Sequence, residues 1–290
     1  MELPLVSVCI PTFNGERFVS EAMDSVVNQT YPNLEIVVSD DASDDLTLER
    51  IEAFKEKTDI PIIIHNHVPS GIGSNWNNCI NKAQGKYIKF LFQDDVLKPE
   101  CIAEMVALIE LDSSIDLVAS KREFIIEDSF LTEEIKNWIE VFQDLQQTLG
   151  LKKEAVSILD KSLFKSPEFM EIPYNKIGEP SVVLFRKDLI SRIGYFDAEL
   201  RQVLDYEFFY RILKKGKIAI INKELVCFRL HPLQATNLNK GKVSSDYVKL
   251  NRIIYTDYFW YLNNTKKIKL LKKYNLLVKF MVRLKRCLRL

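Results

Sequence analysis

The sequence is poor in cysteine, and its few cysteines are unsuited to cross-linking. Five cysteines are spread over 290 residues, and no two form a Cys-x-x-Cys pair. Disulfide frameworks use even, closely spaced sets, and thiolate zinc sites use paired cysteines. We therefore expect neither kind of site, and a reducing cytosol suits this composition best. The five residues are Cys9, Cys79, Cys101, Cys227 and Cys287.

Long uncharged apolar runs are also missing. No stretch approaches the ~18 uncharged residues that a membrane-spanning helix needs. Residues 1–4 lack the basic and apolar regions of a secretion signal. Apolar residues make up 47% of the chain and charged residues 28%, which excludes large-scale disorder. The length predicts one large α/β domain, or one domain with an extension, in the cytoplasm.

Acidic residues are absent from the last part of the chain. Residues 266–290 contain ten Lys or Arg and no Asp or Glu, which leaves 30 basic against 40 acidic residues in 1–265. The apolar residues of this basic tail recur at helical spacing, which predicts an amphipathic helix on an anionic membrane surface. A helix packed on the body and a nucleic-acid surface are the alternatives, and we expect the membrane rather than nucleic acid. The apolar positions are Ile268, Leu271, Leu276, Leu277, Phe280, Val282, Leu284 and Leu288.

In the first half of the chain, apolar runs typical of strands alternate with apolar residues at helical spacing. Runs at 5–10, 34–38, 61–64 and 87–92 predict strands, the first stopped by Pro11. Helices are predicted between them, the first capped by Asn14. This alternation predicts βαβ units and a parallel sheet with right-handed crossovers.

The second half carries weaker signals. Residues 121–177 are mostly helical in pattern, as in 133–151, and predict a helical region inserted across the sheet. β character returns at 181–185, 217–221 and 225–230, with a helix around 206–213 between them. The sheet is therefore expected to extend beyond its first four strands.

Asp94 and Asp95 directly follow the apolar run 87–92. Because burying unpaired carboxylates is costly, these acids are expected where the strand exits the sheet. In open α/β sheets the carboxyl ends of the strands face the ligand crevice, and two carboxylates there suit Mg²⁺ or Mn²⁺ carrying a diphosphate. The alternative is a helix N-cap at Asp95, and each reading can hold for one aspartate.

Three polar clusters follow three predicted strands. They are Pro11-Thr12-Phe13-Asn14-Gly15-Glu16, Asp40-Asp41-Ala42-Ser43 and Gln93-Asp94-Asp95. If the strands are parallel, the clusters meet at one edge, where a base could lie over residues 11–13 and a carboxylate could accept from it. The helix start near Asn14 favours negative charge. Each cluster alone suits a turn or a cap, and their convergence favours a site.

The chain resembles family 2 glycosyltransferases over 6–231. The resemblance is carried by residues 6–14, 26–38 and 40–45, and by Gln93-Asp94-Asp95, Gly178-Glu179-Pro180-Ser181, Gly194-Tyr195-Phe196-Asp197, 204–211 and Arg229-Leu230-His231. It implies a GT-A fold, a Rossmann-like and mostly parallel central sheet flanked by helices. It also implies inverting sugar transfer from a nucleotide diphosphate donor, with Mg²⁺ or Mn²⁺ bridging the phosphates.

The resemblance assigns roles by position. Asp95 and His231 would bind the metal, Arg229 would approach the diphosphate, and Asp94 would meet the ribose or the metal shell. Many relatives have Asp-x-Asp-Asp where this chain has Phe92-Gln93-Asp94-Asp95, so the leading acid is absent. The residues placed at the nucleotide are Pro11, Thr12, Phe13, Glu16, Asp40, Asp41 and Asp94.

Asp205 is the candidate catalytic base. An inverting transfer needs a carboxylate opposite the leaving diphosphate to take the proton of the attacking hydroxyl. Asp205 precedes an apolar-periodic helix, so an N-cap is the alternative. Relatives usually have an acid before this aspartate, whereas this chain has Leu204.

These inferences predict a GT-A domain over 1–240, with 121–177 as a variable acceptor-side region, and a helical extension over 241–290. The expected enzyme is a hexosyltransferase that uses a UDP- or dTDP-sugar and a glycan or polyprenyl-linked acceptor in bacterial surface polysaccharide synthesis. It would lie peripherally on the inner face of the cell membrane.

Two alternatives remain. A nucleotidyltransferase would need a glycine-rich, basic loop at 11–16, which has one Gly and no Lys, and a non-catalytic sugar-nucleotide-binding protein would need no base.

Overall fold

The computed structural model describes residues 2–151, 154–234 and 243–287. Within these ranges one sheet has the order β3-β2-β1-β4-β8-β6-β9-β5, with β7 paired to β9. The strands are β1 (Val6–Thr12), β2 (Leu34–Asp40), β3 (Ile62–Asn66), β4 (Tyr87–Phe90), β5 (Val96–Leu97), β6 (Ile115–Ile126), β7 (Val156–Leu159), β8 (Val183–Arg186) and β9 (Lys217–Leu230).

Helices surround this sheet. They are α1 (Val19–Val27), α2 (Thr47–Glu52), α3 (Ile72–Lys82), α4 (Cys101–Leu111), α5 (Glu133–Phe142), α6 (Leu189–Ile193), α7 (Leu204–Lys215), α8 (Val243–Asp257), α9 (Asn264–Tyr274) and α10 (Leu276–Cys287). No helix in the described ranges combines the length and apolar character that a membrane crossing requires.

The strands β3, β2, β1 and β4 are mutually parallel, as predicted. Every residue of β1 and β2 is buried, and α3 packs on both strands. Strands covered on both faces are continuous apolar runs of this kind. The register pairs Val6 with Leu34 and Thr12 with Asp40, so both strands end at the same edge.

Pro11 does not stop β1, contrary to the prediction. The strand continues to Thr12, and Pro11 pairs with Ser39 of β2. Cys9 accepts from Leu91 on the β4 side, and Pro11, two residues on, faces the same side. The β4 ladder has already ended there, so the missing N–H of Pro11 costs no ladder hydrogen bond.

Asn14 does not cap α1, which is the second correction. Helix α1 begins at Val19, and Asn14 has a left-handed φ of 47°. Its Oδ1 instead accepts from the Asp44 backbone N–H at 3.0 Å. This hydrogen bond joins the end of β1 to the acidic loop after β2.

The second half of the sheet is mixed. β8 pairs antiparallel with β4 and β6, while β9 runs parallel to β6 and antiparallel to β5 and β7. The two predicted strands at 217–221 and 225–230 form one 14-residue strand, because the exposed polar residues 222–224 form a bulge in β9 after which pairing with β6 resumes. The stretch 121–177 is less helical than predicted, since it starts within β6 and contains β7 besides α5.

Helices α8 and α9 pack on the body. Tyr258 is buried with its ring 5.0 Å from that of Phe164, and Lys266 is paired with Glu171. The predicted basic tail forms two helices broken at Asn275, and residues 288–290 lie outside the described ranges. The predicted boundary at 240/241 also lies outside them.

Candidate active site

The ends of β1, β2 and β4 meet at one edge of the sheet. The Asp41 N–H donates to the Thr12 carbonyl at 2.9 Å. The Gln93 side chain accepts from the Phe13 N–H at 2.9 Å and donates to the Phe13 carbonyl at 3.0 Å. The three polar clusters of the sequence are therefore brought together, as predicted.

Gly15 makes room for Gln93. A Cβ at this position would overlap the Gln93 side-chain amide. Gln93 is a residue that sequence analysis quoted but gave no role, because a neutral amide beside two aspartates carries no signal of its own. Its two hydrogen bonds fix the backbone of Phe13, whose side chain is exposed.

Thr12 and Asp40 are buried and used within the protein. Thr12 Oγ1 donates to Asp40 Oδ2 at 2.7 Å, and Ser43 donates to Asp40 through its N–H at 2.8 Å and its hydroxyl at 2.6 Å. Pro11 is buried as well. The buried side chains of Thr12 and Asp40 therefore hold the ends of β1 and β2 in place through hydrogen bonds within the protein.

Asp41 and Glu16 accept hydrogen bonds at two helix starts. Asp41 accepts from the N–H groups of Ser70 at 2.7 Å and Gly71 at 3.1 Å, just before α3. Glu16 accepts from the Leu46 N–H at 3.1 Å, just before α2. Both carboxylates thus lie near the ends of β1 and β2 and accept from backbone N–H groups, and their role at a nucleotide stays a prediction.

Asp95 is fully buried at the exit of β4. Its Oδ1 accepts from the Arg229 N–H at 3.0 Å, and its Oδ2 has no hydrogen-bond partner among the described residues. Burial raises the pKa of Asp95 well above its usual range, and the charge of Asp94 raises it further. The N-cap alternative is wrong, because α4 begins at Cys101.

The end of β9 brings Arg229 and His231 to these acids. His231 Nε2 lies 2.9 Å from Asp94 Oδ2, and Arg229 donates from Nε to the Asp94 carbonyl at 2.9 Å. The Arg229 guanidinium also pairs with Glu21 at 2.6 Å and lies 4.6 Å from the Phe18 ring centre. Both residues are almost completely buried.

Asp205 is buried in the first turn of α7. The helix is capped at Val203, so Asp205 is not its N-cap. Asn175 Nδ2 donates to Asp205 Oδ2 at 2.9 Å, and Oδ1 has no hydrogen-bond partner among the described residues. Burial raises the pKa of Asp205 well above its usual range, partly offset by the Tyr206 backbone and reinforced by the charge of Glu179.

Segment 178–181 is bonded near both buried acids, because the Asn175 amide donates to the Gly178 carbonyl as well as to Asp205, and Ser181 contacts Phe92 at the exit of β4. The charge of Glu179 raises the pKa of both Asp95 and Asp205, so it lies within electrostatic reach of each. Arg122 pairs with Glu179 at 2.8 Å, and the Ser181 hydroxyl accepts from the Phe92 N–H at 3.0 Å. The sequence marked this segment as a motif. It did not reveal the contact of Asn175 with Asp205, because these residues are 30 positions apart.

The acids at the exit of β4 fit a divalent cation that phosphate oxygens help to ligate. Among the described residues, no three His, Cys, Asp or Glu are grouped to hold a metal by themselves. Mg²⁺ is commonly bound through one or two carboxylates together with substrate phosphates. The unpartnered Oδ2 of Asp95, with Asp94 and His231 beside it, suits that arrangement.

A polar cavity of about 310 Å³ lies beside Asp41. It is lined by His67, Ser70, Ser74, Asn77, Asn78 and Asn81. Another cavity, of about 240 Å³, is lined by residues that include Lys121, Asp144 and Ser157. Neither cavity is lined by Asp95 or Asp205, so the acids lie outside both hollows.

Comparison with known proteins decides the family. The sequence model described as Glycosyl transferase family 2 matches residues 7–170, more than half of the chain. The chain belongs to glycosyltransferase family 2. This places it among glycosyltransferases and not among the nucleotidyltransferases considered as an alternative.

Relatives and solved structures agree with this family. An uncharacterized glycosyltransferase of Haemophilus influenzae is 27% identical over 90% of this chain and 75% of its own length. A poly(ribitol-phosphate) beta-glucosyltransferase of Bacillus spizizenii is 29% identical over 73% of this chain, which spans only 33% of that enzyme. Uncharacterized glycosyltransferases of two Rickettsia species are matched over 66% of their length, so the chain spans only part of its relatives.

The structural likenesses establish the fold. TarS residues 1–349 of S. aureus in complex with UDP has a TM-score of 0.63 at 21% identity, over 93% of this chain and 70% of that chain. The mannosyltransferase PcManGT of Pyrobaculum calidifontis, in complex with GDP-Man and Mn²⁺, has a TM-score of 0.60 at 15% identity, over 99% of this chain and 81% of that chain. The glycosyltransferase has the GT-A α/β fold, as predicted.

Proposed function

We propose that this glycosyltransferase moves a sugar, with inversion, from a UDP- or dTDP-sugar to a hydroxyl of a glycan or lipid-linked acceptor. One observation carries the proposal: Asp95 and Asp205 are both buried, each has one unpartnered carboxylate oxygen, and segment 178–181 is bonded beside Asp205 through Asn175 and beside the exit of β4 through Ser181. The ligands of its structural neighbours, UDP and GDP-Man, support a nucleotide-sugar donor. The relative that glucosylates poly(ribitol-phosphate) supports a role in surface polysaccharide synthesis.

Asp205 is proposed as the base. Its buried, unpartnered Oδ1 takes the proton of the attacking hydroxyl while the new sugar–oxygen bond forms and the bond to the diphosphate breaks. Burial makes the ionised carboxylate a stronger proton acceptor than an exposed one. The nucleoside diphosphate leaves with the electron pair.

Asp95 is proposed to hold Mg²⁺ or Mn²⁺, with His231 completing the protein ligands and Asp94 beside them. Such a cation would offset the charge of the leaving diphosphate. Arg229 lies next to the same acids, and its guanidinium would have to leave Glu21 to reach a phosphate oxygen.

The nucleotide is proposed to lie at the edge formed by the ends of β1 and β2. Phe13 offers an exposed aromatic face there. Asp41 and Glu16 lie beside it with carboxylates that could accept from a base or ribose, while Thr12 and Asp40 hold the turn in place.

We further propose that α10 holds the protein on an anionic membrane surface, on the inner face of the cell membrane. Its exposed apolar residues recur on one side of the helix, and cations with no acid surround them in the sequence. Lys272, Lys273 and Lys279 are exposed. The exposed apolar residues are Leu276, Leu277, Phe280, Met281 and Leu284.

Nucleotide release tests the catalytic proposal. UDP-glucose, UDP-GlcNAc, dTDP-glucose and GDP-mannose are each incubated with the protein and Mn²⁺, with water as the acceptor. We expect one donor to release its nucleotide, and Asp205→Asn to slow that release ~10²–10⁴-fold while nucleotide binding persists. Asp112→Asn, an exposed acid beyond α4, serves as the matched control. Unchanged release by Asp205→Asn would remove this residue from the mechanism.

A further inference from the structure

The Asn175 side chain uses all its hydrogen-bonding positions. Its Oδ1 accepts from the N–H groups of Ile177 at 2.9 Å and Gly178 at 3.0 Å. Its Nδ2 donates to the Gly178 carbonyl at 2.8 Å and to Asp205 Oδ2 at 2.9 Å. A side-chain amide offers two acceptor sites and two donor hydrogens, so this group is saturated.

These four contacts fix the orientation of the amide. If its oxygen and nitrogen were exchanged, an oxygen would face the Gly178 carbonyl and the Asp205 carboxylate, and the NH₂ group would face two N–H donors. All four pairs would then be repulsive. The amide is therefore held as a rigid donor aimed at one oxygen of Asp205.

We propose that Asn175 is a positioning residue that holds Oδ2 of Asp205 and so presents Oδ1 to the acceptor hydroxyl. This inference rests on the proposed function, in which Asp205 is the base. Asn175 fixes the carboxylate without adding a positive charge beside it. The base is thereby oriented while its pKa stays raised by burial.

Other ionisable groups face Asp205 from several elements. Glu179 comes from segment 178–181 and is itself paired with Arg122 of β6. Tyr206 and Tyr210 belong to α7, and Tyr247 comes from α8. None of these groups is altered by substituting Asn175, so a changed pH profile would report on the contact between Asn175 and Asp205.

Asn175→Asp is the decisive variant, because it keeps the size of the side chain and both acceptor contacts. It places a carboxylate oxygen against Asp205 Oδ2, where a donor had been. The new carboxylate keeps the two N–H donors of residues 177 and 178, so it ionises first, and the pKa at which Asp205 loses the second proton of the pair is raised by the neighbouring negative charge. Because the base acts when ionised, we expect the acidic limb of the kcat profile to move to higher pH by about one unit or more.

The measurement is nucleotide release from the fastest donor of the panel, with Mn²⁺ and water as the acceptor, across the pH range. We expect kcat of Asn175→Asp at neutral pH to fall ~10-fold or more, while the KM for the donor stays within about threefold. Asn77→Asp is the matched control. Asn77 also donates to a backbone carbonyl and accepts from an N–H, both of Phe196, and does not touch Asp205.

A second variant guards against misfolding of the first. Asn175→Ala introduces no charge, and we expect it to lower kcat while leaving the acidic limb in place; thermal unfolding with UDP checks that it folds. Wild-type kcat in Asn175→Ala, or a wild-type acidic limb in a folded Asn175→Asp, would overturn the role of Asn175 if Asp205→Asn is inactive. An active Asp205→Asn would instead overturn the base assignment, and the positioning role with it.

Discussion

At the residue scale, the lack of a side chain at Gly15 shapes the edge formed by the ends of β1 and β4. The Gln93 amide occupies the space a Cβ would need, and it holds the Phe13 backbone from both sides. Gly15→Ala is expected to displace Gln93 and destabilise the fold by about 1–3 kcal/mol, as overpacking does. Urea unfolding measures this free energy.

A double-mutant cycle isolates the cause of that loss. Gln93→Ala removes the group that the new methyl would meet, so Gly15→Ala should cost clearly less in the Gln93→Ala background. Equal costs in both backgrounds would mean that the close approach of Gln93 does not explain the glycine.

Asp205 is expected to make the fold less stable as pH rises. Its folded pKa lies well above 3.8, the value for an unperturbed aspartate, because it is buried. Between those two values the native state binds more protons than the unfolded state, so stability falls as pH increases. We expect Asp205→Asn to remove this dependence.

Chemical denaturation between pH 4 and pH 8 checks this sign. The gain in unfolding free energy of Asp205→Asn over the wild type should be larger at pH 8 than at pH 4. Asp112→Asn, in which an exposed carboxylate is replaced, should show no such increase. A gain for Asp205→Asn that shrinks with pH would contradict a buried carboxylate whose pKa is raised in the folded state.

Some residues of the candidate site could be predicted from the sequence, and others could not. The cost of burying a charge predicted that Asp94 and Asp95 follow the end of β4, which they do, although Asp95 is itself fully buried there. Asn175 and Gln93 were not found, because a neutral amide gains its meaning only from partners 30 and 80 residues away. The resemblance to the family indicated Asp205. That its Oδ1 is buried without a hydrogen-bond partner in the described part of the chain could be seen only in the folded structure.

At the element scale, the parallel half of the sheet was predictable and the mixed half was not. Strands β1, β2 and β4 are buried and mostly apolar, so each can be recognised from its own short stretch of sequence. Strands β6 and β9 meet across about a hundred residues and include register shifts, with exposed polar residues in the bulge of β9. Local periodicity carries no information on such long-range pairing, which is why the strand residues of β6 beyond 120 fell within a region predicted to be mostly helical.

The exit of β4 and the end of β9 are expected to act together in metal binding. His231 and Asp95 come from these two elements and lie around Asp94. His231→Ala should raise the Mn²⁺ concentration for half-maximal nucleotide release at least about 10-fold, and EDTA should abolish release by the wild type. Titrations with Mn²⁺ after EDTA treatment and desalting measure both effects.

His65→Ala provides the matched control, because His65 lies on β3 away from these acids. Its metal requirement should equal that of the wild type. A His231→Ala protein with an unchanged metal requirement would exclude His231 as a ligand and leave the cation to the carboxylates alone.

At the scale of the whole molecule, charge is divided between two parts of the chain. Residues 1–265 carry ten more acidic than basic residues, while 266–290 carry ten basic residues and no acid. An anionic bilayer would attract the second part and repel the first. Because surface charges are screened beyond about 8 Å at physiological salt, this asymmetry orients the protein only close to the surface.

Binding to vesicles tests this orientation. We expect co-sedimentation with vesicles of phosphatidylcholine mixed with phosphatidylglycerol, weakened by salt, and little with phosphatidylcholine alone. Phe280→Glu should weaken binding at least about 10-fold, since burying one Phe side chain is worth about 1.5–3 kcal/mol. Leu111→Glu makes a similar change at an exposed position of α4 and should bind as the wild type does. If α10 instead pairs two copies of the chain, Phe280→Glu would lower the sedimentation mass without lipid, and vesicle binding would be insensitive to lipid charge.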